Sequence, residues 1–302
     1  MRKGISAKFS ICCAFGALAA CGGGGGGGGG FNSTPPPPPP PPPAPGYIDV
    51  FPNITQSTSF AVLGAQADTF DIPASQLVTN GFAVSFDAAS DAYIIDLPSK
   101  DPGKFFAQSQ DDRNWHGYID GAGFTVLSVL KPSNPDIQLS HTSFGQFFEY
   151  DYDDGAPVGF VAFGTATLPA AIPTTGSATY DALVAGLTLD GDARVGGSAT
   201  LEFNFGAGTL AGHLDPVLFP YSGGSFALGS YSFVNTVYGV GSTTFSGEFS
   251  HSNPLLTGAF NGLFTGPNAE ELMARWSADF VHPGTQQTGE MFGIWVGKDG
   301  GP

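Results

Sequence analysis

The sequence predicts an all-β protein, an antiparallel sheet with long connections followed by an eight-stranded up-and-down β-barrel. Three observations point there. From Gly176 onward apolar and polar residues alternate with a period of two, the mark of half-buried strands with one wet face. The 302-residue chain holds 45 glycines and 27 phenylalanines but only 12% charged residues, as expected of many short strands separated by turns. Beyond the N-terminal segment no apolar run approaches the ~18 residues that a membrane-crossing helix needs.

Residues 1–20 have the form of a secretory signal peptide. Arg2, Lys3 and Lys8 precede an apolar run from Phe9 to Ala20, too short to span a bilayer. The ending Leu18-Ala19-Ala20-Cys21 resembles the bacterial lipoprotein lipobox, which implies a diacylated Cys21 at the mature N-terminus. Cys12 and Cys13 lie in the removed segment, so Cys21 remains without a disulfide partner and no thiolate metal site can form. The mature chain keeps 7 basic side chains against 26 acidic ones, a formal charge of −19. That balance argues against nucleic acid and against a face lying on anionic headgroups. It favours solubility by self-repulsion and, secondarily, attraction to a basic partner.

Residues 21–46 read as a tether in two mechanical halves. Gly22–Gly30 is an unbroken glycine run, a flexible coil with an end-to-end distance of roughly 17 Å. Pro35–Pro43 is an unbroken proline run, a stiff polyproline II rod of about 28 Å. Together they would hold a folded body roughly 40 Å from the lipid.

Residues 47–165 are less regular. Strand-like pieces occur at Gly81–Phe86, Ala92–Leu97, Lys104–Gln108, Phe124–Leu130, Ile137–Glu149 and Val158–Phe163, punctuated by prolines at 73, 98, 102, 132 and 135. They predict a smaller antiparallel sheet whose long loops are natural carriers of binding function.

Residues 166–302 hold eight alternating runs: Ala178–Leu187, Gly197–Phe205, Thr209–Leu218, Gly229–Tyr238, Ser242–His251, Leu255–Thr265, Glu271–Val281 and Glu290–Val296. Ala199, Leu201, Phe203 and Phe205 face one way; Ser198, Thr200, Glu202 and Asn204 face the other. Glu271, Arg275, Ser277 and Asp279 form the expected wet face of the seventh run. Pro267–Leu272 allows at most one helical turn before it. Eight such strands close into a barrel without edges, and the mixture of Leu256, Gly258, Phe260, Gly262 and Phe264 suits a packed taper.

Several motifs carry a resemblance. His141-Thr142-Ser143-Phe144-Gly145, Gly159–Gly164 and Pro173–Tyr180 look like the handle-to-barrel junction of the transferrin-binding protein B family. Gly262–Glu271 resembles that family's barrel turn, and Phe292-Gly293 fits its closing strand. The likeness runs from about Phe144 to Val296. It implies a single lobe, handle then barrel, on a surface lipoprotein of the outer membrane that is lipid-anchored and monomeric. It also implies a ligand, a host or environmental protein or a haem- or iron-type nutrient, held by handle loops and barrel rim. The alternative is a structural or adhesion lipoprotein of the envelope without a small ligand.

The chemistry of individual residues adds little. The histidines at 116, 141, 213, 251 and 282 lack the spacing of a metal site, so no cofactor is expected and haem enters only as the small ligand that the resemblance allows. Asp151–Gly155 starts like a calcium loop, but its glycine comes early and no bidentate Glu follows. Gly206–Ala211 matches G-x-G-x-x-A between two strands, the wrong context for a dinucleotide. No nucleophile elbow or Ser-His-Asp set occurs, and the expectation is a protein without enzymatic activity. Two groups remain as binding candidates: Trp115, His116 and Tyr118 near Asp111 and Asp112, and Phe219 and Tyr221, with Phe226, in the connection from Asp215 to Leu228. Tucking of that connection into the core is the expected arrangement, with an exposed contact patch as its alternative.

Overall fold

The computed structural model describes residues 50–51, 54–68, 77–98, 100–120, 125–149 and 157–300. Cys21, the tether and the Asp151–Gly155 segment lie outside the described residues. The fold is all-β, and the described part from residue 50 onward belongs to one compact unit made of two antiparallel sheets.

The first sheet contains β1 (Thr58–Ser59), β2 (Ala61–Asp68), β3 (Ala83–Asp87), β4 (Ala92–Leu97), β5 (Lys100–Gln110), β6 (Asn114–Ile119), β7 (Val126–Leu130), β8 (Thr142–Phe148) and β9 (Pro157–Gly164). Their order is β1-β3-β4-β5-β6-β7-β8-β9-β2. β1 and β2 flank Phe60, so a single stretch of chain starts against β3 and continues against β9. The sheet therefore curls almost shut on that stretch. Phe60 sits at the switch, its N–H donating to the Val84 carbonyl at 3.0 Å and its ring inside the curl beside Phe51 and Phe163. The expected smaller sheet is thus one of nine strands. β2 escapes the alternation because both of its faces pack: Val62 lies toward the inner core of the curl while Ala65 and Ala67 face the second sheet.

The second sheet contains β10 (Ser177–Thr188), β11 (Ala193–Asn204), β12 (Thr209–Pro220), β13 (Phe226–Ala227), β14 (Tyr231–Val237), β15 (Thr244–Ser250), β16 (Thr257–Thr265), β17 (Glu271–Val281) and β18 (Thr288–Asp299). β10, β11, β12 and β14–β18 form a ring in the order β11-β10-β18-β17-β16-β15-β14-β12, closed by pairing of β11 with β12. β13 is a short addition to β12. These eight ring strands are the eight expected runs.

The barrel interior is filled by rings. Phe203 lies 4.8 Å from Phe264, 5.1 Å from Tyr238, 5.2 Å from Phe245 and 5.6 Å from Tyr180, ring centre to ring centre. Further along, Trp295 lies 5.3 Å from Phe260 and 5.9 Å from Phe233. Glycines make room for them. Phe245 pairs with Gly262 and Phe260 with Gly247 across β15 and β16, and a Cβ on either glycine would fall within 2.6 Å of the facing ring. The expected taper is this aromatic–glycine reciprocity. The apolar side faces inward and exposed Thr, Ser and Glu face out, the inverse of a barrel that spans lipid. No helix among the described residues is long and apolar enough to cross a membrane.

One wall of the barrel is dry on both sides. Leu187, Met273, Phe292, Ile294 and Val296 point outward into Phe144, Phe160 and other residues of the first sheet. Glu271, expected on a wet face, is 1% exposed because the first sheet covers it. Its carboxylate accepts the Ser140 and His141 N–H groups at 2.6 and 2.9 Å. The Thr142 and Thr265 hydroxyls pair nearby, and the Thr167 hydroxyl donates to the Gly266 carbonyl at 2.7 Å. Hydrophobic contact and a satisfied polar seam thus join the two sheets.

Candidate functional site

The parity of β12 decides where its aromatic residues go. Leu210, Leu214 and Leu218 point into the barrel, so Phe219 must point out. After Pro220 the chain reverses through Gly223 and Gly224, both at positive φ, and returns as β13 along the edge of β12, with Phe226 at the barrel mouth in register with Leu218. The result overturns the expected tucking into the core: Phe219, Tyr221 and Phe226 are 43%, 60% and 42% exposed. Arg194, paired with Phe219 across β11, places its guanidinium 5.6 Å from the centre of the Tyr221 ring. The Tyr221 N–H donates to the Asp192 carbonyl at 3.2 Å, which holds the ring over Arg194. This patch lies at the barrel end carrying the β10–β11 and β12–β14 connections.

The second group splits across β6. Trp115 leans toward the inner core of the first sheet, with Lys131 Nζ 4.5 Å from its ring centre and its indole N–H buried without a partner. His116 and Tyr118 take the opposite face. His116 Nε2 lies 3.0 Å from Asp111 Oδ2, and Asp111 also accepts the Arg113 and Asn114 N–H groups at 2.7 and 2.6 Å. The hydrogen bond from His116, with those backbone bonds, holds the Asp111 carboxyl far below the usual carboxylate range. His116 therefore closes the β5–β6 turn. Tyr118 is 41% exposed and stands in register with Phe106 on β5 and Val126 on β7, which in turn faces Phe148 on β8. The sequence reading missed this row, because only strand register brings its members side by side.

The remaining histidines are also engaged locally. His213 lies 3.3 Å from Asp215 and His141 3.4 Å from Glu270, while the Nδ1 atoms of His251 and His282 accept backbone N–H groups. Among the described residues no group of three or more His, Cys, Asp or Glu side chains is placed to hold a metal ion. Outside β15–β18 an open groove of about 520 Å³ is lined by Glu248, Asp279 and Glu290. Burial, reinforced by the neighbouring Asp279, raises the Glu290 pKa above its ordinary 4.5. A raised folded-state value means that stability is complete below the unfolded value and falls as pH rises through the folded one. Glu290→Gln should therefore match the parent in thermal melts near pH 4 and melt about 2 °C higher at pH 7.

The fold is similar to that of transferrin binding protein B. A double mutant of that protein from Haemophilus parasuis shares 17% identity over 79% of this chain and 44% of its own, with a TM-score of 0.45. The isotype 1 protein from serogroup B Neisseria meningitidis shares 14% over 80% and 43%, also at 0.45. A structure described as a surface lipoprotein shares 13% over 79% and 98%, at 0.39. This chain thus spans less than half the length of the first two. It matches no protein-family model and no curated protein.

Proposed function

We propose that the chain is an outer-membrane lipoprotein, anchored through Cys21 and displayed at the cell surface, that binds a basic protein at the barrel end. The observation that carries this reading is the exposure of Phe219 and Tyr221 on either side of Arg194. Exposed Tyr and Arg at the end of a strand pair are residue types that dominate protein–protein binding energy, and large apolar patches seldom stay open without a partner. The formal charge of −19 favours a basic partner and fast, salt-sensitive association. Tyr118, with Phe106 and Val126, offers a second contact on the first sheet. A haem-type ligand is less well supported, since the barrel interior is filled and the described histidines are tied to local partners.

The test uses the mature chain as bait in host serum and environmental extracts. A basic protein is expected to be retained at low salt, released at high salt and lost at least tenfold by the Phe219→Ser/Tyr221→Ser double variant. Retention untouched by that variant would move the binding surface elsewhere, and a Soret band on haem titration would favour the small ligand. Protease shaving of intact cells and mass spectrometry of Cys21 test exposure and the anchor.

A further inference from the structure

A cleft between the two sheets holds a cation that no acid among the described residues accompanies. Arg275 points outward from β17 toward the first sheet, between Asn261 of β16 and Ile294 of β18. Its Nε donates to Asn261 Oδ1 at 2.7 Å and its Nη1 donates to the Thr79 carbonyl. That carbonyl belongs to a short strap held against β2, where Val78 and Gln66 exchange backbone hydrogen bonds of 2.8 and 2.9 Å. Both acceptors of the guanidinium are neutral. Among the described residues no carboxylate lies within ion-pair distance of it, although the chain is strongly acidic. Burial accordingly lowers its pKa.

Beside Arg275 lies a cavity of about 150 Å³, bounded by Ala65, Leu77, Thr79, Asn261, Ser277 and the arginine itself. A guanidinium has five N–H donors in a planar fork, and among the described residues only two are engaged. With Asn261 Oδ1 turned to the arginine, the amide NH2 is left as a donor, and Ser277 adds a hydroxyl to the lining. Ala65 and Leu77 form an apolar wall. We propose that this cleft binds a small oxyanion, with a carboxylate or phosphate head on the free edge of Arg275 and any hydrocarbon tail against Ala65 and Leu77. The chemistry is the fork-to-fork match of guanidinium with a planar or tetrahedral oxyanion, strengthened by partial exclusion of water. The volume matches that of a cavity that takes up benzene, about 150 Å³, so the tail is no larger than one ring. The site is independent of the protein-binding patch at the barrel end.

Calorimetry and thermal melts of the mature chain with acetate, benzoate and inorganic phosphate, at constant ionic strength and with chloride as control, test it. At least one oxyanion should bind and raise the melting temperature. Preference for benzoate over acetate and phosphate would identify an organic carboxylate, and preference for phosphate a tetrahedral anion. Arg275→Lys keeps the charge but not the fork and should weaken binding about tenfold, by analogy with other bidentate sites. Ser277→Leu leaves the arginine in place, fills the cleft and should abolish binding even if Arg275→Lys proves unstable. Absence of heat with every anion at ten-millimolar scale, or binding unchanged in both variants, overturns the proposal.

Discussion

Phe203→Ala should cost the barrel about 3–5 kcal/mol, the range for removing a buried aromatic ring from a core that cannot collapse around the gap. The ring is fully buried and has five aromatic neighbours: Tyr180, Phe205, Tyr238, Phe245 and Phe264. They project from several strands of a closed ring, so no single strand can shift inward to fill the space without breaking its ladder on both sides. The melting temperature should fall by roughly 10 °C, with the urea midpoint falling in step. Trp295→Phe is the informative contrast. Its indole N–H has no hydrogen-bond partner, so the change loses packing area but no bond and should cost much less. Equal losses in the two variants would mean that the interior is not packed ring on ring.

Glu271→Ala should be the most damaging polar substitution in the described chain. Its buried carboxylate is the acceptor for the backbone N–H groups of Ser140 and His141, which lead into β8. Removing it leaves two amides of the seam without an acceptor and opens a void between the sheets. Charge-assisted bonds of this kind are worth about 1.5–3 kcal/mol each, and an unsatisfied buried donor costs about 1–3 kcal/mol, so a total near 3–4 kcal/mol is expected. Glu271→Gln keeps the shape but turns an NH2 group toward one of the two donors, and should cost about half as much. Hydrogen exchange should locate the effect, with the Ser140 and His141 amides exchanging faster while the far side of the barrel, around β14, stays protected. Protection unchanged at residues 140 and 141 would show that the seam does not depend on this carboxylate.

Much of the barrel was legible because a closed sheet with one wet face writes its geometry directly into the chain. β17 runs from Glu271 to Val281, the limits that its alternation marked, and the inward set from Leu272 to Phe280 faces the core. Where a second surface covers the strand, the signal fades. Met291 to Val296 is buried on both faces and reads as an unbroken apolar run, and the Ala61–Ala67 stretch, interrupted by Gln66, is likewise covered on both faces. The candidate site was legible only as a set of residues. Phe219 and Tyr221 stand out in the sequence as aromatic residues of one connection, yet their exposure depends on the parity of β12 and on a reversal at Gly223 and Gly224. His116 belongs to a turn with Asp111, and Arg194 and Phe106 gain their meaning from cross-strand neighbours.

Alternation along individual strands was enough to dictate an all-β chain, the number of barrel staves and the side of each that is oily. That information is local: it concerns how one side chain differs from the next. Which barrel wall meets the curled sheet, why Glu271 is dry, and where Arg275 is left beside an empty space all depend on segments as much as 196 residues apart coming into contact. Such contacts leave no periodic trace, because a residue buried by a distant segment is chosen to fit that segment and not its own strand.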